Sequence, residues 1–309
     1  MTKSDFSICV VALLLLKDYR LSPGSVSTLL LRAPIDQLST ESDLLDWCLE
    51  HGAALNRSAE PDVGRARRAV HETIEADVAA IPITSEEYPA HLRAIEDAPP
   101  VIYVRGSRQI LSGPPGVSVV GTRKASPNGL RIAERISSYF AERGWVIVSG
   151  LALGIDTAAH RGALNVAGGT IAVLAHGLHQ ASPKANTHLA NDILTSGGVW
   201  LSEHPLNVPA LPEQFVHRNR IQIGLSAGSI IVEGEERSGT MTQAEFCIRN
   251  KRHLFAVFPE NADGLRLVSK GPLILINKRG ATPLRSRDDY ESAARLMEAK
   301  RAALAASPS

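Results

Sequence analysis

From residue 112 onward, short apolar segments alternate with stretches of helical length. The segments are rich in Val and Ile, and the stretches between them are amphipathic, as in Leu130–Arg143. Strands joined by helix-length connections predict an α/β fold with a parallel sheet that helices cover on both faces. The predicted strands are Val117–Val120, Trp145–Val148, Thr170–Leu174, Val199–Ser202, Ser229–Val232 and His253–Phe258.

The chain before this region has a different pattern. Residues 1–80 carry apolar side chains at helical spacing, which predicts a small helical domain of the SAM or helix-hairpin-helix type. Two interpretations of the turn Leu21–Val26 stay open, an ordinary helix break and a hairpin whose amides contact a DNA phosphate. Residues 81–111 are rich in proline and predict a connector with one short strand. The main domain is predicted over 112–285, followed by a C-terminal helix and tail over 286–309.

Composition limits the classes of function. The 309 residues are 44% apolar, enough for two cores. The apolar run Phe6–Leu16 is shorter than the ~20 residues that span a bilayer, and a buried first helix is favoured over a signal peptide because no small-residue cleavage site follows. Three dispersed cysteines predict a reducing cytoplasm and no metal site. Neither a membrane association nor a catalytic residue is predicted.

The charge distribution is uneven. Residues 1–110 hold 11 Lys and Arg against 16 Asp and Glu, whereas the remaining residues hold 22 and 16. A basic second half is compatible with a polyanionic partner and equally with a solvated surface.

Four loops that follow predicted strands combine glycine, hydroxyl and guanidinium groups: residues 121–129, 149–156, 214–221 and 233–242. Such loops at the carboxyl ends of parallel strands are the usual place for ligands in open α/β sheets, and glycines with helix N-termini favour phosphate. Phe215, beside arginines, is suited to stacking an unpaired base. The candidate DNA-binding residues are Gly121, Thr122, Arg123, Lys124, Ser149, Gly150, Phe215, Arg218, Asn219, Arg220, Ser238, Gly239 and Thr240.

Other residues near these loops have structural interpretations. Asp156 is predicted to be a helix N-cap. For His160, a structural role is favoured over contact with a ligand. One of the arginines could instead pair with Glu203 or Glu233, and the acidic residues 233–236 could hold Arg218, Arg220 or Arg237 in place. The glycine spacing does not match G-x-G-x-x-G, so no cofactor is predicted.

Taken together, these loops closely resemble the DNA-processing protein A (DprA or Smf) family. The matching segments follow the family's order across residues 88–260: Val119–Lys124, Val148–Ala152, Gly154–Leu164, Leu201–Glu203, Arg218–Ile221 and Glu236–Thr240. The chain departs from the family at Leu153, where arginine is common, and at Ala181–Asn186, which replaces a motif that begins Tyr-Pro. No C-terminal winged-helix domain is predicted after residue 285.

The resemblance implies an extended Rossmann-like domain that binds and protects single-stranded DNA without catalysis and helps to load the RecA recombinase in transformation or recombination. It also implies a homodimer formed through this domain. Arg123, Lys124, Phe215, Arg218, Asn219 and the loop Ser238–Thr240 would line the strand-binding pocket, with Arg123 the leading residue.

Two other functions remain as alternatives. A nucleotide-sensing module could use the same loops for a single nucleotide. A phosphoribohydrolase that cleaves nucleoside monophosphates would need a carboxylate in a Gly-Thr-x-x-Glu loop, but Glu245 lies two positions too late, rotated ~200° around a helix.

Overall fold

A nine-stranded sheet forms the centre of the molecule. A computed structural model describes residues 2–52 and 60–306. Residues 53–59 of the predicted helical domain and 307–309 of the predicted tail lie outside the described residues.

The first four helices precede the sheet. Threonines at the N-caps of the first and third helices form reciprocal capping boxes with Asp5 and Asp43, which define where these helices begin. The first helix buries Ile8–Leu15, so it is the predicted buried helix. Within the described ranges, no helix combines the length and apolar character required to cross a bilayer. The four helices are α1 Lys3–Lys17, α2 Pro23–Arg32, α3 Glu41–His51 and α4 Val63–Glu75.

The sheet has the strand order β1-β2-β6-β5-β4-β3-β7-β8-β9. Every neighbouring pair from β6 across to β9 is parallel, which confirms the predicted α/β class. The strands are β1 Ala79–Pro82, β2 Val101–Gly106, β3 Gly116–Val120, β4 Ile147–Ser149, β5 Thr170–Val173, β6 Val199–Ser202, β7 Ser226–Ile231, β8 His253–Val257 and β9 Thr282–Leu284.

Helices cover both faces of the parallel region. Apolar side chains of α6, α7 and α13 pack on one face, and those of α10, α11 and α12 pack on the other. The remaining helices are α5 Ala90–Arg93, α6 Pro127–Ala141, α7 Ile155–Leu164, α8 Thr187–Thr195, α9 Pro212–His217, α10 Asn219–Gly224, α11 Gly239–Arg249, α12 Lys270–Arg279 and α13 Asp289–Ala305.

The predicted connector belongs to the sheet. Its strand β2 pairs antiparallel with β6, and β1 pairs antiparallel with β2. The core of α1–α4 continues through these strands into β5 and β6. The strands β1 and β9 are absent from the sequence prediction because each is short and contains a proline, Pro82 or Pro283, which argues against a strand.

The turn at the start of α2 makes its hydrogen bonds within the protein. Ser22 caps α2, and the Gly24 amide donates to the Asp97 carboxylate at 2.8 Å. The amide that a helix-hairpin-helix would offer to a DNA phosphate is therefore already bound by a carboxylate, which favours the helix-break interpretation.

Candidate functional site

A cleft of about 500 Å³ opens at the carboxyl end of the sheet. From β3 the chain proceeds to β4, β5 and β6 on one side, whereas β7, β8 and β9 follow on the other. The point where the order reverses, between β3 and β7, is where open α/β sheets leave a crevice for ligands. All four predicted loops meet there, the second of them through Ala152 and Asp156. Among the predicted residues, those that line the cleft are Gly121, Thr122, Arg123, Phe215, Arg218, Asn219, Ser238, Gly239 and Thr240.

Arg123 and Phe215 form one wall of the cleft. The guanidinium carbon of Arg123 lies 5.1 Å from the centre of the Phe215 ring, within the range of a cation–π interaction. Arg123 is exposed and Phe215 is half-buried. The pair therefore offers a positive charge and an aromatic surface side by side.

Arg218 lies at the floor of the cleft. Its side chain is only 4% exposed, and one amino group donates to the Val173 carbonyl at 2.7 Å. Its buried Nε has no hydrogen-bond partner within the described chain. Burial, together with the charge of Arg123, lowers the pKa of Arg218 to about 10, and Asp156 opposes that shift. A buried, incompletely bonded guanidinium is suited to an anion.

The N-terminus of α11 forms the opposite wall. Ser238 is the N-cap, but its hydroxyl donates to the Glu235 carbonyl and does not cap the helix amides. Asn219 donates to the Gly239 carbonyl at 3.3 Å and joins this wall to α10. Uncapped first-turn amides and the helix dipole favour negative charge at this position.

Asp156 is not the N-cap that the sequence predicts. Gly154 is the N-cap of α7, and its φ of +80° is a conformation that glycine adopts readily. The Asp156 carboxylate accepts the Gly150 amide at 3.1 Å. Burial raises the pKa of Asp156, and Arg218 opposes the rise. His160 is fully buried against the Thr170 hydroxyl at 2.8 Å, in agreement with its structural interpretation.

Four predicted residues do not line the cleft. The Ser149 hydroxyl is buried and donates to the Val119 carbonyl. Gly150 lies beneath the Arg218 guanidinium, and a Cβ at this position would collide with it. Lys124 is exposed on the loop beside the cleft. Arg220 is 1% exposed and is not among the residues that line the cleft.

Arg220 is the centre of a buried ion cluster. Its two amino groups donate to the two Glu203 carboxylate oxygens at 2.7 and 2.6 Å, and its Nε donates to the Asp97 carbonyl at 2.8 Å. Burial alone would raise the pKa of Glu203, but Arg220 overrides burial and holds it well below its ordinary value. The predicted alternative, an arginine paired with Glu203, is what the structure contains.

His217 gives this cluster a pH dependence. Its ring lies 3.2 Å from an Asp97 oxygen and 3.4 Å from a Glu203 oxygen, and these bonds raise its pKa to about 9. The ordinary value is about 6.5. The charged ring thus stabilises the fold fully below pH ~6.5, and this stabilisation is lost as the pH rises through about 9.

We expect the melting temperature to fall between pH ~6.5 and ~9.5. His217→Gln should flatten that fall, as measured by thermal unfolding across the pH range. Half-buried His204, whose pKa is lowered to about 4, stays neutral throughout this window. An identical slope in wild type and variant would contradict the assignment.

The acidic residues of the fourth loop do not hold arginines. Glu233 is fully buried, and its carboxylate accepts the Ser126 amide at 2.9 Å, the Ser126 hydroxyl at 2.7 Å and the Val268 amide at 2.8 Å. Glu235 and Glu236 are exposed and make no ion pair within the described residues. The predicted pairing of these acids with arginines is therefore wrong, and Glu233 instead anchors the loop that carries Arg123.

Sequence reasoning missed two buried glutamines that line the cleft. Gln222 and Gln243 are each 1% exposed, and Gln243 donates to the Ser118 hydroxyl at 3.0 Å. Each lies four residues after a predicted site residue, Arg218 or Gly239. One helical turn places such pairs on the same face, so the spacing was a usable signal.

The chemistry available in the cleft is binding of an anion and a flat ring. Glu245, which a phosphoribohydrolase would require, is half-exposed and paired with Arg279 at 2.8 Å, outside the cleft. The described residues hold no cluster of His, Cys, Asp and Glu suited to a metal ion. Fold and site define a Rossmann-like α/β protein with a cationic cleft at the switch point of its sheet.

Comparison with known proteins identifies the family. The profile of the DNA recombination-mediator protein A family matches residues 79–294. The chain is 33% identical over 276 residues to DNA processing protein DprA of Bacillus subtilis, covering 89% of this chain and 88% of that protein. It is 42% identical over 202 residues to protein Smf of Escherichia coli, covering 65% of this chain and about half, 52%, of that protein. The chain belongs to the DNA recombination-mediator protein A family.

Two solved structures agree with this assignment. The X-ray structure of DNA processing protein A from Streptococcus pneumoniae superposes with a TM-score of 0.65 at 30% identity, covering 94% of this chain and 93% of that one. DNA processing protein A from Helicobacter pylori, whose structure was determined for its single-stranded DNA binding mode, has a TM-score of 0.62 at 26% identity and covers 71% of this chain and 96% of that one.

Proposed function

We propose that this chain binds single-stranded DNA in the cleft between β3 and β7. The observation that carries the proposal is the Arg123–Phe215 pair above the buried Arg218. An unpaired base can stack on the half-buried Phe215 ring, a contact worth roughly 1–3 kcal/mol. Arg123, Arg218 and the α11 amides would then receive its phosphate.

Family membership and the relative described for single-stranded DNA binding support this choice. We further propose that the chain acts in the cytoplasm as a homodimer, protects single strands and helps to load a recombinase of the RecA type. These proposals rest on the family. The cleft chemistry by itself also suits a single nucleotide, which makes a nucleotide sensor the alternative to test.

Binding of labelled oligo-dT to the wild type should strengthen with strand length and weaken with salt. Arg123→Ala should lower the affinity by on the order of 10- to 100-fold and reduce the salt slope by about 0.7, the contribution of one phosphate contact. Phe215→Leu, which keeps apolar volume without a flat ring, should lower affinity by roughly 10-fold at an unchanged slope. Fluorescence anisotropy across a length and salt series measures both quantities.

The matched control is Arg161→Ala, because Arg161 is an exposed arginine of α7 that does not line the cleft. Its affinity should equal that of the wild type. If a single nucleotide saturates the site and longer strands bind no more tightly, the cleft is a nucleotide sensor and the strand-binding proposal is wrong.

A further inference from the structure

A second group of arginines lies at the same end of the sheet as the cleft. A separate cavity of about 300 Å³ opens beside Val257 and Leu284, the last residues of β8 and β9. Four arginines line it, two from α6 and two from the loop between β9 and α13: Arg131, Arg135, Arg285 and Arg287. All four are exposed.

The four arginines of this cluster have no direct ion-pair partner within the described chain. No Asp or Glu lines the cavity, and none of the four guanidinium groups forms an ion pair there. The carboxylate of Asp289 is near in sequence, but one of its oxygens accepts the amides of Arg285 and Ser286 at 2.6 and 2.9 Å. Two carboxylates line a neighbouring hollow together with three of these arginines, but each has another partner. Glu134 accepts from Asn165 at 2.6 Å, and Glu142 pairs with Arg143 at 3.8 Å.

The four arginines converge although they come from distant segments. Arg131 and Arg135 lie one helical turn apart on the same face of α6, where like charges repel and destabilise the helix slightly. Buried Tyr290 lies between the two segments. Burial raises the pKa of its hydroxyl, Arg135 and Arg287 both oppose that rise, and Asp289 adds to it. A concave surface with four cations that have no ion-pair partner is suited to an anion that carries several charges.

The position of the cluster connects it to the cleft. The helix α6 begins immediately after the loop that carries Arg123, and exposed Lys124 lies on that loop between the two sites. β8 and β9 are the next strands after β7, at steps of ~5 Å each along the sheet edge. Cleft and cluster therefore share one edge of the sheet, with the start of α6 between them.

We propose that the arginine cluster is a second phosphate-binding site, which holds the backbone of the strand after it leaves the cleft and passes Lys124. This inference rests on the proposed function, because the same single strand occupies both sites. The cluster binds phosphates without contacting bases in a preferred order, so it adds affinity and salt dependence without sequence preference.

The test uses two paired substitutions, Arg131→Gln with Arg135→Gln and Arg285→Gln with Arg287→Gln. The probes are oligo-dT of about 6 nucleotides, which fills the cleft alone, and of about 30 nucleotides, which reaches both sites. Each pair should weaken binding of the long strand by on the order of 10-fold and reduce its salt slope by about 1.4, the value for two phosphates. Binding of the short strand should stay within about twofold of the wild type.

The matched control is Arg68→Gln with Arg161→Gln, which removes the same charge from exposed arginines of α4 and α7 outside both cavities. It should leave both affinities unchanged, and thermal melting verifies that every variant is folded. Full affinity and salt slope for the long strand in both pairs would overturn the proposal and favour an acidic protein surface as the ligand of the cluster. An equal loss for short and long strands would overturn it as well.

Arg123→Ala separates the two proposals. If that variant keeps short-strand binding, the cleft assignment fails. The proposal for the arginine cluster is then tested separately, by whether its paired substitutions reduce the salt slope of long-strand binding.

Discussion

Replacing Arg220 by alanine will destabilise the protein by about 3–5 kcal/mol, the cost of leaving a buried charge without its partner. Glu203 is 9% exposed and receives both amino groups of Arg220. The Asp97 and His217 carbonyls would lose donors at the same time. Urea denaturation measures the change, and an unaltered m-value shows that the comparison remains two-state.

Two controls separate this effect from a general loss of charge. Arg279→Ala breaks the exposed pair with Glu245, so it should cost less than about 1 kcal/mol. The double substitution Arg220→Leu with Glu203→Leu removes both buried charges and should recover at least half of the lost stability. Because Arg220 lies outside the cleft, this double variant should keep oligo-dT affinity. A loss of affinity in a stably folded double variant would show that Arg220 contributes to DNA binding.

Replacing Glu233 by alanine will lower both stability and DNA affinity. The change leaves the Ser126 amide, the Ser126 hydroxyl and the Val268 amide without their acceptor. Unsatisfied buried groups cost about 1–3 kcal/mol each, so we expect a total on the order of 3 kcal/mol after partial hydration. The loop that carries Arg123 loses its anchor, and affinity for oligo-dT should fall by on the order of 10-fold because ordering the loop then opposes binding. Denaturation and fluorescence anisotropy on the same samples measure the two effects.

Glu235→Ala is the matched control. It removes the same residue type two positions later from an exposed site with no ion pair in the described chain, so stability should change by less than about 0.5 kcal/mol. Gly129→Ala offers a second approach, because its new Cβ would collide with the Glu233 carboxylate without changing any charge. Wild-type stability and affinity in both Glu233→Ala and Gly129→Ala would contradict the anchoring role.

The sequence by itself determined the α/β class and the loops of the candidate site. Alternation of apolar segments with amphipathic stretches is a local property, since a buried strand and a half-buried helix each impose their own period on the chain. Parallel strands all end at one edge of the sheet, so the loops that follow them could be expected to converge. Nine of the thirteen candidate residues line the cleft for this reason.

Only the tertiary structure decided which of these side chains face the cleft. Arg218 and Arg220 are two residues apart, so a helical backbone directs them about 200° apart. One lines the cleft, and the other pairs with Glu203 beside Asp97, partners supplied by the loop after β6 and the segment before β2. Glu233 likewise accepts hydrogen bonds from the amides of Ser126 and Val268, which lie more than thirty residues before and after it in the sequence. No local pattern encodes such pairings, because the partners of a buried charge come from whichever distant segments the fold packs against it.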